Sequence, residues 1–282
     1  MNFQYAAFAD ESSTSFDGQM DALLRNGIPC MEMRFVDGRY FTQLTVQEAQ
    51  EYQRRLADKG LGVWSMGSPI GKIGIHEDFE AHMELYKHTL ELAGVFGAKN
   101  IRLFSFFMPK DEDPAIYRNL VLDRMAIFAQ TAKEFGVYAC HENEKGIYGD
   151  VASRCVEIHQ AVPELKGVFD PANFVQCGQD TWEAWQMLNP YIYYLHIKDA
   201  LADGQVVPAG KGIGNVPAIV EAFGKRGGGM MTLEPHLNAF IGLAGLEREG
   251  DTSVVGGLAF DSSEAAFDCA ADSMKKIVEG IV

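Results

Sequence analysis

The chain has 282 residues, 47% of them hydrophobic, which is enough to bury one large core. A net charge of −15 and an isoelectric point near 4.8 repel a phosphate backbone, so a nucleic-acid partner is not expected. No window approaches about 18 consecutive apolar residues, so no membrane partner is expected either.

The five cysteines are scattered, with no Cys-x-x-Cys pair, and point to reduced thiols and a cytoplasmic location. The first residues, MNFQYAAFADESS, lack the basic start and long apolar run of a signal peptide.

Strand-like and helix-like segments alternate along the chain. β-rich runs are expected at Phe3–Phe8, Cys30–Phe35, Leu61–Met66, Asn100–Phe107, Val137–Glu142, Gly167–Asp170, Ile192–Ile197 and Met230–Glu234. Between and after them, helical spacing of apolar residues predicts Phe16–Arg25, Val46–Lys59, Phe79–Phe96, Pro114–Phe135, Val151–Val162, Thr181–Leu188, Val216–Lys225 and Ser263–Ile281. Thr45 and Asp113 can cap helix starts, and Gly27, Gly60 and Gly136 stand where helices should stop.

Eight such units, with short connections and no linker, most economically close into a single-domain (β/α)8 TIM barrel over residues 1–282; a doubly wound open sheet is the alternative. One long glycine-rich connection, Leu237–Asp261, follows the eighth strand and is a candidate lid or subunit contact.

In such a barrel the reactive groups sit where the strands end. The fifth strand ends in CHEN, the sixth in VFDPAN, the seventh in YLHIKDA and the eighth in TLEPH. Glu142, Asp170, His196 and Glu234 thus recur at separations of 28, 26 and 38 residues, each about one βα unit. At similar heights on neighbouring strands they can converge on one point. Alternation puts Cys140 and Glu142 on one face and His141 on the other; Tyr194, His196 and Lys198 share a face, as do Thr232, Glu234 and His236. Three carboxylates and one imidazole make a hard, oxygen-rich set suited to Mn²⁺ or Mg²⁺, with Co²⁺ or Zn²⁺ also compatible.

With HENEKG, FDPANF, HIKDA, PAGKGIGN and TLEPH in that order, preceded by MEMRFVDGR, SPIGKI and IRLFSFF, the chain resembles the sugar isomerase/epimerase superfamily with the xylose isomerase-like barrel. The resemblance spans nearly the whole chain. It implies one divalent metal held by Glu142, Asp170, His196 and Glu234, with Glu142 and Glu234 as the catalytic acid and base. It further implies a small sugar or polyol substrate and a possible homo-oligomer, dimer or tetramer. Several ketose epimerases carry a substrate-binding histidine where this chain has Asn173, a departure that puts their substrates in doubt here.

Other residues are candidates for substrate binding. Lys198 faces the mouth, against an alternative of a structural ion pair. Glu144 either reaches the far end of a substrate or meets only water. Trp64 and the nearby phenylalanines form either an aromatic wall or core. His141 is expected outside the barrel unless a twist brings it to the rim. Glu32 and Arg34 share a strand face and are expected to form an internal ion pair, against an alternative of substrate contact, and Arg102 is expected at the barrel bottom. Lys72 and the glycine-rich PAGKGIGN turn are candidate anion sites.

The leading expectation is a metal-dependent isomerase or epimerase working through an enediolate. The alternative is a lyase using the same base and metal: an inosose- or dehydroshikimate-type dehydratase, or a C-glycoside-cleaving subunit. A related DNA-repair endonuclease needs three zinc ions and extra histidines on early strands; here those strands end in WSMGSP and FSFFMP. A non-catalytic sugar sensor is disfavoured by the intact ligand set.

Overall fold

Eight parallel strands close on themselves in the computed structural model, which describes residues 1–240, 243 and 258–281. They are β1 (Asn2–Ala7), β2 (Cys30–Met33), β3 (Gly62–Gly67), β4 (Asn100–Leu103), β5 (Tyr138–Glu142), β6 (Lys166–Phe169), β7 (Ile192–Ile197) and β8 (Gly228–Leu233). Each pairs with its sequence neighbours, and β1 closes the ring on β8. The expected (β/α)8 barrel is the fold.

Outside lie α1 (Phe16–Arg25), α2 (Val46–Asp58), α3 (Phe79–Phe96), α4 (Arg118–Glu134), α5 (Ala152–Ala161), α6 (Pro171–Gln176), α7 (Thr181–Leu188), α8 (Val216–Lys225) and α9 (Ser263–Glu279). Their ends follow the local chemistry. Thr45 and Glu48 form a reciprocal capping box on α2, and Asp113 caps a short 3-10 turn, Pro114–Tyr117, that leads into α4. Gly27, Gly60 and Gly136 all have positive φ just past helix ends.

The side-chain period of two divides each strand between two environments. One series, including Ala7, Met31, Ile101, Ala139, Leu195 and Met231, packs beneath the helices in the main hydrophobic core. The other turns into the barrel. There Ala6, Cys140, Val168, Tyr194 and Met230 form a small apolar layer, with Cys30 and Trp64 packed on it. Two residues further along the strands stand Phe8, Glu32, Glu142, Asp170, His196 and Thr232, all buried. An apolar floor therefore supports a polar storey at the strands' C-terminal ends.

Four local features differ from expectation. The second strand stops at Met33, and Phe35–Val36 pairs with Arg39–Tyr40 in a hairpin. Its turn is Asp37-Gly38, both at positive φ, the dipeptide such tight turns require. The fourth strand stops at Leu103 rather than Phe107, because Phe106 adopts φ 65°. That turn sends the Phe106 ring outward to stack on Phe128, 5.5 Å between centroids, while Phe104 stays by the barrel mouth under Arg102 and Lys72. The short helix α6 follows Asp170 directly, and a two-stranded ribbon joins Asp199–Ala200 to Val206–Val207. The lid expected within Leu237–Asp261 lies largely outside the described residues, at 241–242 and 244–257.

Two histidines between barrel and helices are held neutral. His82 Nε2 accepts the Gly71 N–H at 2.8 Å, and burial pushes its pKa down to about 4. His159 stacks on Tyr191, and burial again pushes its pKa down to about 4. The unfolded chain takes up these protons near pH 6.5 and the folded chain only near pH 4, so stability is complete above 6.5 and falls as pH drops toward 4. Each histidine should cost roughly 2–3 kcal/mol by pH 4. Urea melts at pH 7.5 and 4.5 should show this loss, and the double variant His82→Gln, His159→Gln should lose measurably less. An equal loss in both proteins would refute the assignment.

Candidate metal centre

Four buried side chains converge at the strand ends. Glu142 is the last residue of β5, Asp170 follows β6, His196 lies near the end of β7, and Glu234 follows β8. One ligand atom from each lies within 4.8 Å of every other. The local sequence explains the placement of Asp170: it caps α6 by accepting the Asn173 N–H at 2.9 Å, and Pro171 starts the helix at once.

His196 Nδ1 faces inward, 2.8 Å from Glu142 Oε1, 3.5 Å from Glu234 Oε2 and 4.0 Å from Asp170 Oδ2. Lys198 Nζ lies 2.9 Å from both Asp170 Oδ2 and Glu234 Oε2. Burial lowers the His196 pKa, but Glu142 and Glu32 outweigh it and hold it well above its usual value. Burial raises Asp170 to about 7, and Lys198 only partly offsets it. At Glu234 the order reverses: burial raises the pKa, yet Lys198, His236 and His196 together hold it well below the carboxylate range.

The donor set fits a divalent cation on two grounds. First, Glu142 Oε2 and Asp170 Oδ2 are buried and take no hydrogen bond of acceptable geometry, although Arg102 and Lys198 stand at ion-pair distance. Such atoms are costly unless something else uses them. Second, seven carboxylates gather here, Asp10, Glu11, Glu32, Glu142, Glu144, Asp170 and Glu234, against five cations, Arg34, Lys72, Arg102, Lys145 and Lys198. Carboxylates thus outnumber the arginines and lysines around the four converging side chains, the surroundings a divalent ion favours. Metal ligation through Nδ1 requires the neutral form of His196.

A supporting chain orients the imidazole. Glu32 Oε2 lies 3.3 Å from His196 Nε2, and the Tyr194 hydroxyl donates to Glu32 Oε1 at 2.9 Å. Ser65 Oγ lies 3.4 Å from that hydroxyl. Asn143 locks β5 to β6: its side-chain oxygen accepts the Asp170 N–H and its amide donates to the Asp170 carbonyl, both at 2.9 Å. Asn173 donates to the Asn143 carbonyl at 2.9 Å and reaches Glu142 Oε1 at 3.5 Å.

A small cavity of about 30 Å³ opens above these groups, and Glu142, Glu144, Asn173, Lys198 and Glu234 all line it. Two candidates do not. His141 points to the helix side, where it meets Ser105 Oγ at 3.1 Å and the edge of His159. Trp64 belongs to the lower apolar layer against Tyr193 and Tyr194, because an irregularity opposite Met31 and Glu32 brings both Trp64 and Ser65 toward the barrel interior. Glu144 pairs with Lys72 at 2.9 Å across the mouth.

Three further expectations are corrected. Glu32 and Arg34 do not pair with each other: Glu32 serves His196, while Arg34 binds Asp10 at 2.8 Å, Glu11 at 2.9 Å and Glu234 at 3.3 Å. Arg102 is not at the barrel bottom; its Nη1 lies 3.2 Å from Glu142 Oε2. The glycine-rich turn does not present its amides to a phosphate, because Gly210, Gly212 and Gly214 donate theirs to the Asp199 carboxylate at 2.8–3.0 Å. A Cβ at Gly212 would stand 2.3 Å from the Ala200 carbonyl oxygen.

Sequence reasoning missed Asp10 and Glu11, although the run FADESS directly after β1 was a signal of the same kind as CHEN. Glu11 also accepts the backbone N–H of His236 at 2.6 Å, at a residue whose φ is 47°.

A family model described as xylose isomerase-like TIM barrel matches residues 20–252. No curated protein sequence matches the chain. Among solved structures, a probable 3-DHS dehydratase, AsbF from Bacillus anthracis, is 17% identical with a TM-score of 0.72, covering 98% of this chain and 99% of its own. An L-ribulose 3-epimerase is 17% identical with a TM-score of 0.74, covering 99% and 95%. A xylose isomerase-like TIM-barrel protein from Mycobacterium smegmatis, in complex with magnesium, is 16% identical with a TM-score of 0.71, covering 99% and 97%. These likenesses show a shared fold.

The Glu32 contact has a measurable consequence. Glu32→Gln should weaken Mn²⁺ binding by about 10–100-fold while the protein stays folded, since the partner of a ligating imidazole fixes its orientation. Isothermal titration with Mn²⁺ reads this directly. Unchanged affinity would show that the Glu32 carboxylate does not support the ligand set.

Proposed function

The chain belongs to the xylose isomerase-like TIM-barrel family, and on that premise we propose that it is a divalent-metal-dependent isomerase or epimerase of a small sugar or polyol. The observation that carries this reading is the convergence of Glu142, Asp170, His196 and Glu234 beneath a polar cavity. When bound, the ion would polarise a substrate carbonyl.

The chain's own groups account for the proton transfers. Glu142 and Glu234 approach the site from β5 and β8, on different sides of the barrel mouth. One takes the proton from the carbon next to the carbonyl, and the other returns a proton to that carbon or its neighbour. Glu234 is held ionised chiefly by Lys198, 2.9 Å away, and so stands in the form that accepts a proton. Asn173, 3.5 Å from Glu142 Oε1, restrains that carboxylate. Phe104, buried beside the mouth, packs against Arg102 and Lys72 and holds both in place.

A second reading has support in one neighbour, the probable 3-DHS dehydratase, whose fold is matched end to end. The same base, placed beside a carbon bearing a β-hydroxyl, would expel water instead of returning the proton. The replacement of a histidine by Asn173 relative to several ketose epimerases is compatible with either outcome.

Incubating the Mn²⁺-loaded protein with a panel of ketoses in D₂O separates these readings. Deuterium should enter the carbon next to the carbonyl, and Glu142→Gln and Glu234→Gln should each slow this by about 10²–10⁴-fold. Exchange on no sugar would overturn the isomerase or epimerase reading. An unsaturated product would establish the lyase.

A further inference from the structure

Arg102 projects from β4 into the space between the two carboxylates assigned to proton transfer. Nη1 lies 3.2 Å from Glu142 Oε2 and 3.9 Å from Glu234 Oε1. The side chain is 3% exposed and lines the cavity.

Its guanidinium is held mainly by contacts that use few of its donors. Nη2 donates to the Ser68 carbonyl at 3.3 Å, and the rings of Phe8 and Phe104 lie 5.1 and 4.8 Å from its central carbon. The aromatic contacts fix the position of the charge without consuming an N–H. Nε makes no hydrogen bond although it is buried. A guanidinium carries five donors, and one that served only to neutralise a carboxylate would favour a two-pronged contact. Here a single nitrogen makes both carboxylate approaches, and Nε is left unspent.

Proton abstraction moves one negative charge from a carboxylate to a substrate oxygen and leaves the total unchanged, so a fixed cation beside both positions can stabilise it in either place. Arg34 is engaged by Asp10, Glu11 and Glu234, and Lys198 by Asp170 and Glu234. Arg102 is the cation placed between the proton-transferring pair with a donor to spare.

We propose that Arg102 is a catalytic residue that donates a hydrogen bond to the substrate oxygen gaining negative charge during proton abstraction. The inference rests on the isomerase or epimerase reading above. In the step, one carboxylate removes the proton from carbon. The C–H electron pair becomes the carbon–carbon π bond of an enediolate, and the carbonyl π pair moves onto oxygen, where Arg102 donates. The second glutamate, which begins the step as the neutral carboxylic acid, gives its proton to carbon, and the oxygen pair moves back to re-form the carbonyl. Arg102 stays protonated throughout, as arginine does in proteins.

The test compares wild type with Arg102→Lys, which keeps the charge, and Arg102→Ala, all loaded with Mn²⁺. Deuterium exchange gives kcat and KM on the best ketose, and calorimetry gives Mn²⁺ affinity. Arg102→Lys should lower kcat by about 10²-fold and Arg102→Ala by about 10³-fold, as for other lost oxyanion donors. KM and Mn²⁺ affinity should change by less than about fivefold, and added methylguanidinium should restore part of the Arg102→Ala rate. The proposal is overturned if folded Arg102→Lys keeps kcat within about threefold of wild type, or if kcat and Mn²⁺ affinity fall in proportion. Exchange by wild type with no effect of Arg102 sinks this inference alone. No exchange by wild type sinks it together with the reading beneath it.

Discussion

The centre of this barrel depends on burying six carboxylates in one place, with a seventh, Glu144, half-buried at the rim. An unpaired buried carboxylate costs several kcal/mol even after relaxation, so no single group here can be understood alone. Arg34 is the clearest case. It is fully buried, sandwiched between Phe8 at 4.4 Å and Phe240 at 4.7 Å, and it pairs with three carboxylates. Removing it would strand Asp10 and Glu11 together, and would loosen Glu234, whose position matters to any bound ion. Charge compensation and site geometry are the same interaction seen twice.

The barrel permits this because its period of two sorts chemistry by height. Cys140, Tyr194 and Met230 fill the lower interior with apolar contacts, and residues two further along, Glu142, His196 and Thr232, open the polar storey. Neither layer works without the other. The floor excludes water from below, which strengthens every charge interaction above it. The polar storey would be unaffordable if the strands supporting it could shift, and Asn143, tied twice to Asp170, opposes such a shift between β5 and β6. Rigidity at that seam also holds two of the four candidate ligands at a constant separation.

What was legible in the sequence was what repeats. Glu142, Asp170, His196 and Glu234 each close a strand at the interval of a βα unit, so parity and spacing brought them to one height. His141 was correctly set on the opposite face by the same argument. The partners of these residues were harder to read, because they come from distant strands through contacts with no local signature. Glu32 was paired with Arg34 because the two share a face of the second strand, whereas His196 claims it from 164 positions away. Arg102 was placed at the barrel bottom from its position on the strand alone; its long side chain carries the charge upward to Glu142. Trp64 was left between an aromatic wall and core, because the strand irregularity that sets it in the apolar layer is invisible to a simple alternation. Asp37-Gly38, by contrast, was a readable turn signal overlooked just after the expected strand Cys30–Phe35.

The PAGKGIGN turn shows how a correct local inference can lead to the wrong ligand. Three glycine amides do form an anion-binding nest, as the composition suggested, but its anion is covalently part of the chain. Asp199 faces away from the cavity while its neighbour Lys198 faces in, so one dipeptide anchors the loop on one side and Asp170 and Glu234 on the other. The nest therefore acts on the site indirectly. By pinning Asp199, it fixes the backbone from which Lys198 reaches two candidate ligands. A phosphate would have to displace a carboxylate that is tethered beside its donors and pays little entropy to stay. The anion chemistry of this loop is spent on architecture, and selectivity for substrate must come from the groups that line the cavity itself.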